Sequence, residues 1–334
     1  MGATTRDLFG AADGAAPATP GSYGQPPHGF RLPDATRLGR VRLQVADLAR
    51  ALPFYEQVLG LRVVAREAAD RVALGAHDAA PGDDRVLVEL HERPGARPMT
   101  PRQGAAGGRL GLYHVAILLP DRPALGRFVR HLAGLGVRAG AGDHLVSEAF
   151  YLTDPDGLGI EVYADRPRSA WRRVGRELMM ATDPVDVPGL VRAAAAAPGG
   201  DAPWTGMPAG TVIGHVHLHV GDLAQAAAFY AEALGFDRLV WSYPGALFLG
   251  AGGYHHHLGT NTWAGAGARA PADGDARLLE WTIEVPDLAS VEAAGRSLAD
   301  AGYAADTAGD GELVTRDPWG TQLRLRRAGA RHDA

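Results

Sequence analysis

The sequence of 334 residues contains neither cysteine nor lysine. Without cysteine, disulfides, thiolate nucleophiles and cysteine-based metal sites are excluded. Without lysine, Schiff-base chemistry is excluded as well. Any metal must therefore be held by nitrogen and oxygen ligands. The net charge of −5 gives no basic footprint for nucleic acid. No apolar run reaches the roughly 18 residues of a membrane span, so we expect neither a nucleic acid nor a membrane as partner.

Apolar residues at 46% and charged residues at 21% are typical of a globular protein. The length suffices for two domains with sizeable cores. Residues 1–35 are rich in Gly, Ala and Pro and lack the basic start and apolar centre of a signal peptide. We therefore expect a flexible leader at 1–35, a short tail at 329–334 and, by default, a cytoplasmic location.

Internal repetition organises the remaining sequence. The stretch 40–48 recurs as 215–223, at an offset of 175 that also relates the Phe-Tyr pair at 54–55 to the pair at 229–230. Each copy has the pattern of an alternating strand followed by a helix with one apolar face, ended by a glycine. These two stretches are predicted to be copies of one structural module.

A weaker second pair of repeats completes the pattern. The stretch 114–121 matches 280–287, and the Asp-Pro-Asp-Gly turn at 154–157 matches Asp-Pro-Trp-Gly at 317–320. Four modules are thus predicted to start near residues 38, 112, 213 and 278. We group them into an N-terminal region at 36–165 (modules one and two) and a C-terminal region at 211–328 (modules three and four). Residues 166–210 form the connection, with a short Ala-rich helix after Val187.

Modules of one strand, one helix and several strands, in multiples of two, resemble the vicinal oxygen chelate superfamily of glyoxalases, extradiol dioxygenases and bleomycin-resistance proteins. The resemblance covers about residues 38–327. It implies an α+β fold of four βαβββ modules, paired into curved sheets that cup a metal. It also implies that the metal ligands come from the first and last strands of each module.

Applied to this sequence, the ligand rule separates the modules into two kinds. Module one offers Arg and Val at the ligand positions, and module four offers Glu and Arg. Neither pair can form a metal site. Modules two and three offer His114, Glu161 and His215. Two imidazoles and one carboxylate form a facial triad with open positions that suit Fe(II). We favour a cup shared by modules two and three, because pairing one with two and three with four leaves no third strong ligand.

Further histidines lie in module three. His215, His217 and His219 alternate and so face one side of a strand, where most of them can be ordinary hydrogen-bonded residues. If residues 255–257 continued a strand, His255 and His257 would point together, as a fourth ligand or as part of a substrate pocket, and His256 would point away. An exposed polar turn explains this run equally well.

The segment 142–161 is similar to the signature of ring-cleaving extradiol dioxygenases at each required position. It reads Gly-x-His144, five residues, Phe-Tyr151, two residues, Asp-Pro-x-Gly, three residues and Glu161. Flanking stretches resemble the catechol-2,3-dioxygenase branch. The resemblance implies that Glu161 and His114 are metal ligands, that His144 is an acid/base near the dioxygen site, and that Tyr151 bonds a substrate oxygen. The sequence departs from the family at Arg40, where enzymes that pair adjacent modules carry a histidine ligand.

The predicted function is a non-haem Fe(II) extradiol dioxygenase of aromatic hydrocarbon catabolism, acting on a catechol-type diol with O2. Mn(II), Zn(II) and Ni(II) are alternative metals. One alternative function is a glyoxalase-like lyase or isomerase with His257 as a fourth ligand. Another is a non-catalytic protein that binds an aromatic compound or antibiotic. The ring substituents and any homo-oligomer are left open. The candidate aromatic walls, for which core packing is an equal explanation, are Phe150, Tyr254, Trp263 and Trp241.

Overall fold

The structure is a computed structural model, and it describes residues 2–10, 14–77, 85–99, 108–200 and 202–329. Within these ranges, no helix is both long enough and apolar enough to cross a membrane. A short helix α1 (Thr5–Phe9) and a two-residue strand β1 (Ala16–Pro17) precede the first module.

Modules one and two follow the predicted order of one strand, one helix and three strands. Module one contains β2 (Arg37–Val45), α2 (Leu48–Pro53) continued by a π-helical turn (Phe54–Leu59), β3 (Leu61–Ala68), β4 (Arg71–Ala76) and β5 (Val88–Glu92). Module two contains β6 (Gly111–Leu118), α3 (Arg122–Leu135), β7 (Gly140–Asp143), β8 (Ser147–Thr153) and β9 (Gly159–Asp165).

The connection carries secondary structure of its own, and two further modules follow it. The connection contains a 3₁₀ turn (Arg168–Ala170), β10 (Arg172–Val174), β11 (Glu177–Leu178) and the predicted Ala-rich helix, α4 (Val187–Ala196). Module three contains β12 (Val212–His219), α5 (Leu223–Ala226), a π-helical turn (Ala227–Ala233), β13 (Asp237–Val240), β14 (Ala246–Gly250) and β15 (Leu258–Asn261). Module four contains β16 (Arg277–Val285), α6 (Leu288–Asp300), β17 (Ala305–Thr307), a 3₁₀ turn (Gly309–Gly311), β18 (Leu313–Arg316) and β19 (Gln322–Arg327).

Each module helix begins in the same way. An aspartate ends the turn after the first strand, and its carboxylate accepts a hydrogen bond from the backbone N–H three residues later, which is a standard N-cap. The four capping residues are Asp47, Asp121, Asp222 and Asp287. The repeated aspartate in the sequence is therefore explained by local helix initiation.

β1, β10 and β11 form a small three-stranded sheet, and the strands of the four modules form two eight-stranded sheets, which pair the modules as the shared-cup hypothesis predicts. One sheet has the order β13-β14-β15-β12-β6-β9-β8-β7 and joins modules two and three. The other has the order β17-β18-β19-β16-β2-β5-β4-β3 and joins modules one and four. The central contacts are antiparallel, between β6 and β12 and between β2 and β16. The predicted pairing of modules two and three is confirmed.

Modules that are adjacent in the chain contact each other differently, through a buried tyrosine and an Asp-Pro-x-Gly turn. The Tyr55 hydroxyl of module one donates to Asp154 Oδ2 of module two at 3.0 Å. The equivalent Tyr230 hydroxyl of module three donates to Asp317 Oδ2 of module four at 2.8 Å. The two repeated sequence motifs are thus two halves of one tertiary contact.

The described part of the leader is packed, in contrast to the flexible leader that we expected. Ala18 and Tyr23 are buried in a cluster with Trp171 and Leu178 of the connection. The backbone N–H of Ala3 donates to the Tyr243 hydroxyl at 2.9 Å. Composition could not reveal this packing, because the partners of the leader lie more than a hundred residues away in the chain.

Candidate metal centre

The centre of the sheet shared by modules two and three brings three predicted ligands together. Strand register sets the arrangement: His217 on β12 is opposite His114 on β6, and Ala116 on β6 is opposite Glu161 on β9. The carboxylate oxygen Oε2 of Glu161 lies 2.9 Å from His114 Nε2 and 3.2 Å from His215 Nε2. One ligand atom from each of these three residues falls within 4.8 Å of the other two. The group could therefore hold one metal ion.

The three side chains are almost completely buried, with relative exposures of 5% for His114, 2% for Glu161 and 2% for His215. Burial alone would raise the pKa of Glu161, but His215 and His114 lower it by more, so this pKa lies well below its ordinary value. Burial lowers the pKa of His215 to about 4. At neutral pH the carboxylate is ionised and His215 is neutral, which are the protonation states that bind a metal.

The donor set fits a divalent transition metal. Despite its distance to Glu161, the buried His114 Nε2 makes no aligned hydrogen bond with any described residue. A buried imidazole nitrogen without a partner is costly, and coordination of a cation would satisfy it. Two imidazoles and one carboxylate are a ligand set suited to Fe(II), Mn(II) or Zn(II), with positions left for other ligands.

A cavity of about 450 Å³ opens beside these three residues. Its aromatic lining consists of Tyr113, Tyr151, Tyr243, Phe248 and Trp263. Gly2 of the leader and Thr182 of the connection also line it. The volume suits a single small aromatic ring, and the packed leader contributes to the wall that encloses it.

His144 and Tyr151, both predicted as functional, line this cavity as a hydrogen-bonded pair. Nε2 of His144 lies 2.6 Å from the Tyr151 hydroxyl, and its Nδ1 lies 2.7 Å from the carbonyl of Ala181. A carbonyl only accepts, so Nδ1 carries a proton and Nε2 of the neutral ring accepts from Tyr151. Burial, followed by the charge of Glu161, raises the pKa of Tyr151 well above its ordinary value, so Tyr151 keeps its proton.

In the histidine run, the residue that lines the cavity is His256, whereas His255 and His257 are absent from the lining. His255 Nε2 lies 2.8 Å from Asp165 Oδ1, and His255 Nδ1 lies 2.7 Å from His256 Nδ1. Because the carboxylate only accepts, the proton of neutral His255 is on Nε2, and His256 must donate from Nδ1. This leaves Nε2 of His256 as an acceptor. The centroids of the His256 and His215 rings are 4.1 Å apart.

His257, proposed as a fourth ligand or a pocket residue, faces a different environment. Its Nδ1 accepts from the backbone N–H of Ala251 at 3.2 Å, and its ring stacks on Phe236. It is not part of the three-residue ligand group. Residues 254–257 lie outside any strand, with bends at 255 and 257, ahead of β15, so strand alternation does not apply to them. For this reason the geometry expected for the run was wrong, and sequence reasoning missed His256.

The orientation of His217 is set by Asn261. The amide oxygen of Asn261 accepts from the backbone N–H of Trp263 at 3.0 Å and lies 2.6 Å from His219 Nδ1. Its amide nitrogen therefore donates to His217 Nε2 at 2.9 Å. Neutral His217 then carries its proton on Nδ1, and its ring lines the cavity beside that of His114.

Of the four aromatic residues predicted as walls, Trp263 is found in the lining of this cavity. Phe150 packs in the main core. The Tyr254 hydroxyl is hydrogen-bonded to the Tyr163 hydroxyl at 2.6 Å. Trp241 lies at the edge of the main core. Apart from Tyr151, the remaining aromatic wall is formed by Tyr113, Tyr243 and Phe248, and no sequence pattern distinguished these three from core residues.

Two long stretches of the chain match one known protein family. Residues 37–162 and 212–325 match the model of the Glyoxalase/Bleomycin resistance protein/Dioxygenase superfamily. The chain belongs to this superfamily. It is 42% identical over 287 residues to a protein of Bacillus subtilis (strain 168) named catechol-2,3-dioxygenase, covering 85% of this chain and 94% of that protein.

Solved structures show the same fold. A protein of Bacillus subtilis that is provisionally assigned as a dioxygenase superposes with a TM-score of 0.57 at 13% identity, covering 90% of this chain and 87% of that chain. Glyoxalase I from Zea mays superposes with a TM-score of 0.50 at 19% identity, covering 87% of this chain and 92% of that chain. At such low identities these likenesses establish the fold alone, and the predicted fold of βαβββ modules in curved sheets is confirmed.

Proposed function

We propose that this protein is an extradiol ring-cleaving dioxygenase that opens a catechol-type ring with O2 beside its two hydroxyl groups. The observation that carries the proposal is the convergence of His114, Glu161 and His215 at a cavity of about 450 Å³. The similarity to a protein named catechol-2,3-dioxygenase supports it.

In this proposal His114, Glu161 and His215 hold Fe(II). Bound there, Fe(II) supplies the redox and Lewis-acid chemistry that lets a catecholate react with dioxygen. The chain would contribute one carboxylate and two imidazole ligands in a buried setting beside the cavity. The aromatic walls, among them Tyr113, Phe248 and Trp263, restrict the substrate to a flat ring.

His144 and Tyr151 are proposed to deliver a proton. When protonated, His144 would donate from Nε2 to the Tyr151 oxygen, and Tyr151 would then donate its own proton into the cavity. The 2.6 Å contact allows this transfer without movement of either ring. The carbonyl of Ala181 holds the other ring nitrogen of His144 and fixes the orientation of the ring.

His256 is proposed to accept a hydrogen bond from the substrate. The chain of contacts from Asp165 through His255 fixes the tautomer of His256 and leaves Nε2 as its acceptor. Burial lowers the pKa of His256 well below its ordinary value, so the ring stays neutral, and its lone pair beside the ligand His215 is suited to accept a hydrogen bond from a hydroxyl of the bound diol. His256 lies in the loop ahead of β15 and Tyr151 lies on β8, so acceptor and donor would face one cavity from different segments.

The proposal is tested by purifying the protein without oxygen and measuring its bound metal together with dioxygen uptake. We expect iron, consumption of equal amounts of catechol and dioxygen, and a yellow ring-opened product. A protein that holds zinc or nickel and leaves catechol unchanged would contradict the proposal and favour a glyoxalase-like lyase or isomerase. A protein that binds catechol without any metal would indicate a non-catalytic binding protein.

A further inference from the structure

The sheet shared by modules one and four forms a second cup in which an ion-pair network replaces the ligand set. The repeats place Arg40 at the position of His215, Glu280 at that of His114 and Arg324 at that of Glu161. Glu280 accepts two hydrogen bonds from Arg324, at 2.9 and 3.1 Å. Arg40 lies 3.0 Å from Glu89. The guanidinium groups neutralise the carboxylates, and among the described residues this cup contains no group of three side chains that could hold a metal ion.

A second cavity, also of about 450 Å³, lies in this cup. The polar residues that line it are Arg42, His91, Arg277, Arg316, Glu280, Thr321 and Gln322. Both oxygens of Glu280 are occupied, since Arg42 and Arg324 donate to Oε1 at 3.0 and 2.9 Å, and Gln322 donates to Oε2 at 2.6 Å. The negative charge in the lining is therefore already satisfied, and the remaining charge of the wall is positive.

Two guanidinium groups in this wall retain N–H donors that could bind a further acceptor. Arg316 bonds the Gly320 carbonyl at 3.0 Å and Gln322 Oε1 at 2.5 Å, and it pairs with no carboxylate among the residues described. Arg277 pairs with Asp273 at 2.8 Å, but its buried Nε has no hydrogen-bond partner in the described chain. A buried N–H donor without a partner is costly, and an acceptor entering the cavity would relieve this cost.

The rest of the wall is apolar. Met99, Leu110, Leu112, Leu278 and Trp319 line the cavity. An inorganic anion would leave these surfaces in contact with water, whereas a flat or branched organic body would cover them. Arginine is well suited to hold the planar carboxylate of such a molecule in two hydrogen bonds.

We propose that the second cavity is a binding site for an organic carboxylate with an aromatic or similarly apolar body, held by Arg277 and Arg316 against Trp319. The site is separate from the candidate metal centre, and the proposal does not depend on the proposed dioxygenase activity. The two sites are nevertheless adjacent along β6, because Gly111 and Leu112 line the second cavity and the next two residues line the first.

The test is a calorimetric titration of benzoate into the full-length protein after removal of metal with a chelator. We expect saturable binding that weakens at least tenfold in Arg316→Gln and in Arg277→Gln. Arg316 is exposed, so its substitution is expected to leave the fold intact, which circular dichroism would verify. Arg296→Gln, an exposed arginine on α6 that pairs with Glu292, is the matched control and should bind as the wild type does.

Three further measurements locate the ligand and define its class. Benzamide, the neutral analogue, should bind at least tenfold more weakly than benzoate, and inorganic phosphate should bind more weakly as well. Benzoate should quench fluorescence in the wild type more than in Trp319→Phe, because Trp319 lines the cavity. No saturable binding at millimolar benzoate, or binding that Glu161→Gln abolishes and Arg316→Gln leaves unchanged, would overturn the proposal. Phosphate binding as tightly as benzoate would overturn the assigned ligand class.

Discussion

Glu161 is the only carboxylate in the three-residue group of the described chain that could hold a metal. In Glu161→Gln the charge is lost while the shape of the side chain is kept. We expect metal affinity to fall by more than about 100-fold, since loss of even an outer partner of a metal ligand costs about 10–100-fold. Metal content after dialysis is the measurement, with Glu292→Gln on α6 as the exposed control. Full metal occupancy in Glu161→Gln would remove Glu161 from the ligand set.

Tyr151 offers a second test at the same scale, because it is proposed to move a proton and not to hold the metal. Tyr151→Phe removes the hydroxyl that lies 2.6 Å from His144 Nε2. We expect kcat for ring cleavage to fall about 100-fold or more, with metal content unchanged. Steady-state oxygen uptake and metal analysis on the same preparation measure both quantities. An unchanged kcat would show that this hydroxyl carries no proton in the rate-limiting step.

At single residues, sequence reasoning selected side chains that the structure brings together where several constraints coincided. His114 was selected by its position in the repeats and Glu161 by its repeat position and the signature spacing, and His215 followed because no other strong third ligand was available. His256 was missed because its position depends on the bends at 255 and 257 and on the turn before them, where Gly252 and Gly253 have positive φ values of 58° and 64°. These backbone angles are set by local packing, and no periodicity in the sequence reveals them.

Among the elements, the contact between the module helix and the Asp-Pro-x-Gly turn joins neighbouring modules. Burial raises the pKa of Asp154 to about 6, and the hydrogen bond from Tyr55 opposes this rise. Tyr55→Phe removes that bond, and we expect a loss of about 1–2 kcal/mol of unfolding free energy. Urea denaturation measures this loss, and Tyr230→Phe, which breaks the equivalent bond to Asp317, should behave similarly.

The pH dependence of the Tyr55→Phe effect follows from the sign of the shift. A carboxyl group whose folded pKa is raised favours folding in its neutral form, and this contribution is lost as pH rises from the ordinary value of 3.8 through about 6. The Tyr55 bond stabilises ionised Asp154, so its removal raises the folded pKa further. Tyr55→Phe should therefore destabilise the protein more at pH 8 than at pH 5. An equal loss at both pH values would show that Asp154 is not the group through which Tyr55 acts.

For the whole molecule, the repeat pattern predicted four modules and the ligand positions predicted which of them share a sheet. The packing of the leader could not be predicted in the same way. It rests on distant contacts such as that of Thr5 with Asp183, 2.9 Å from backbone N–H to carboxylate. A sequence rich in Gly, Ala and Pro has no periodicity that identifies such partners, so local patterns describe the modules better than the segments that cover them.

The sheet pairing leads to a prediction about the two halves of the chain, which we propose to be the superfamily regions 36–165 and 211–328. The inner neighbours of β2 and β6 in the N-terminal half are β16 and β12 in the C-terminal half. A half expressed alone therefore exposes two long unpaired strand edges, which are prone to association. We expect each half, divided between Gly210 and Thr211, to aggregate or remain unfolded alone. Co-expressed halves should assemble and bind metal, because the ligand group needs His215 as well as His114 and Glu161.

Size-exclusion chromatography would measure the association state of each half, and circular dichroism would measure its folding. An N-terminal half that is monomeric and folded by itself would mean that β2 and β6 can pair with each other, so that the sheet pairing would be one of two arrangements open to the sequence.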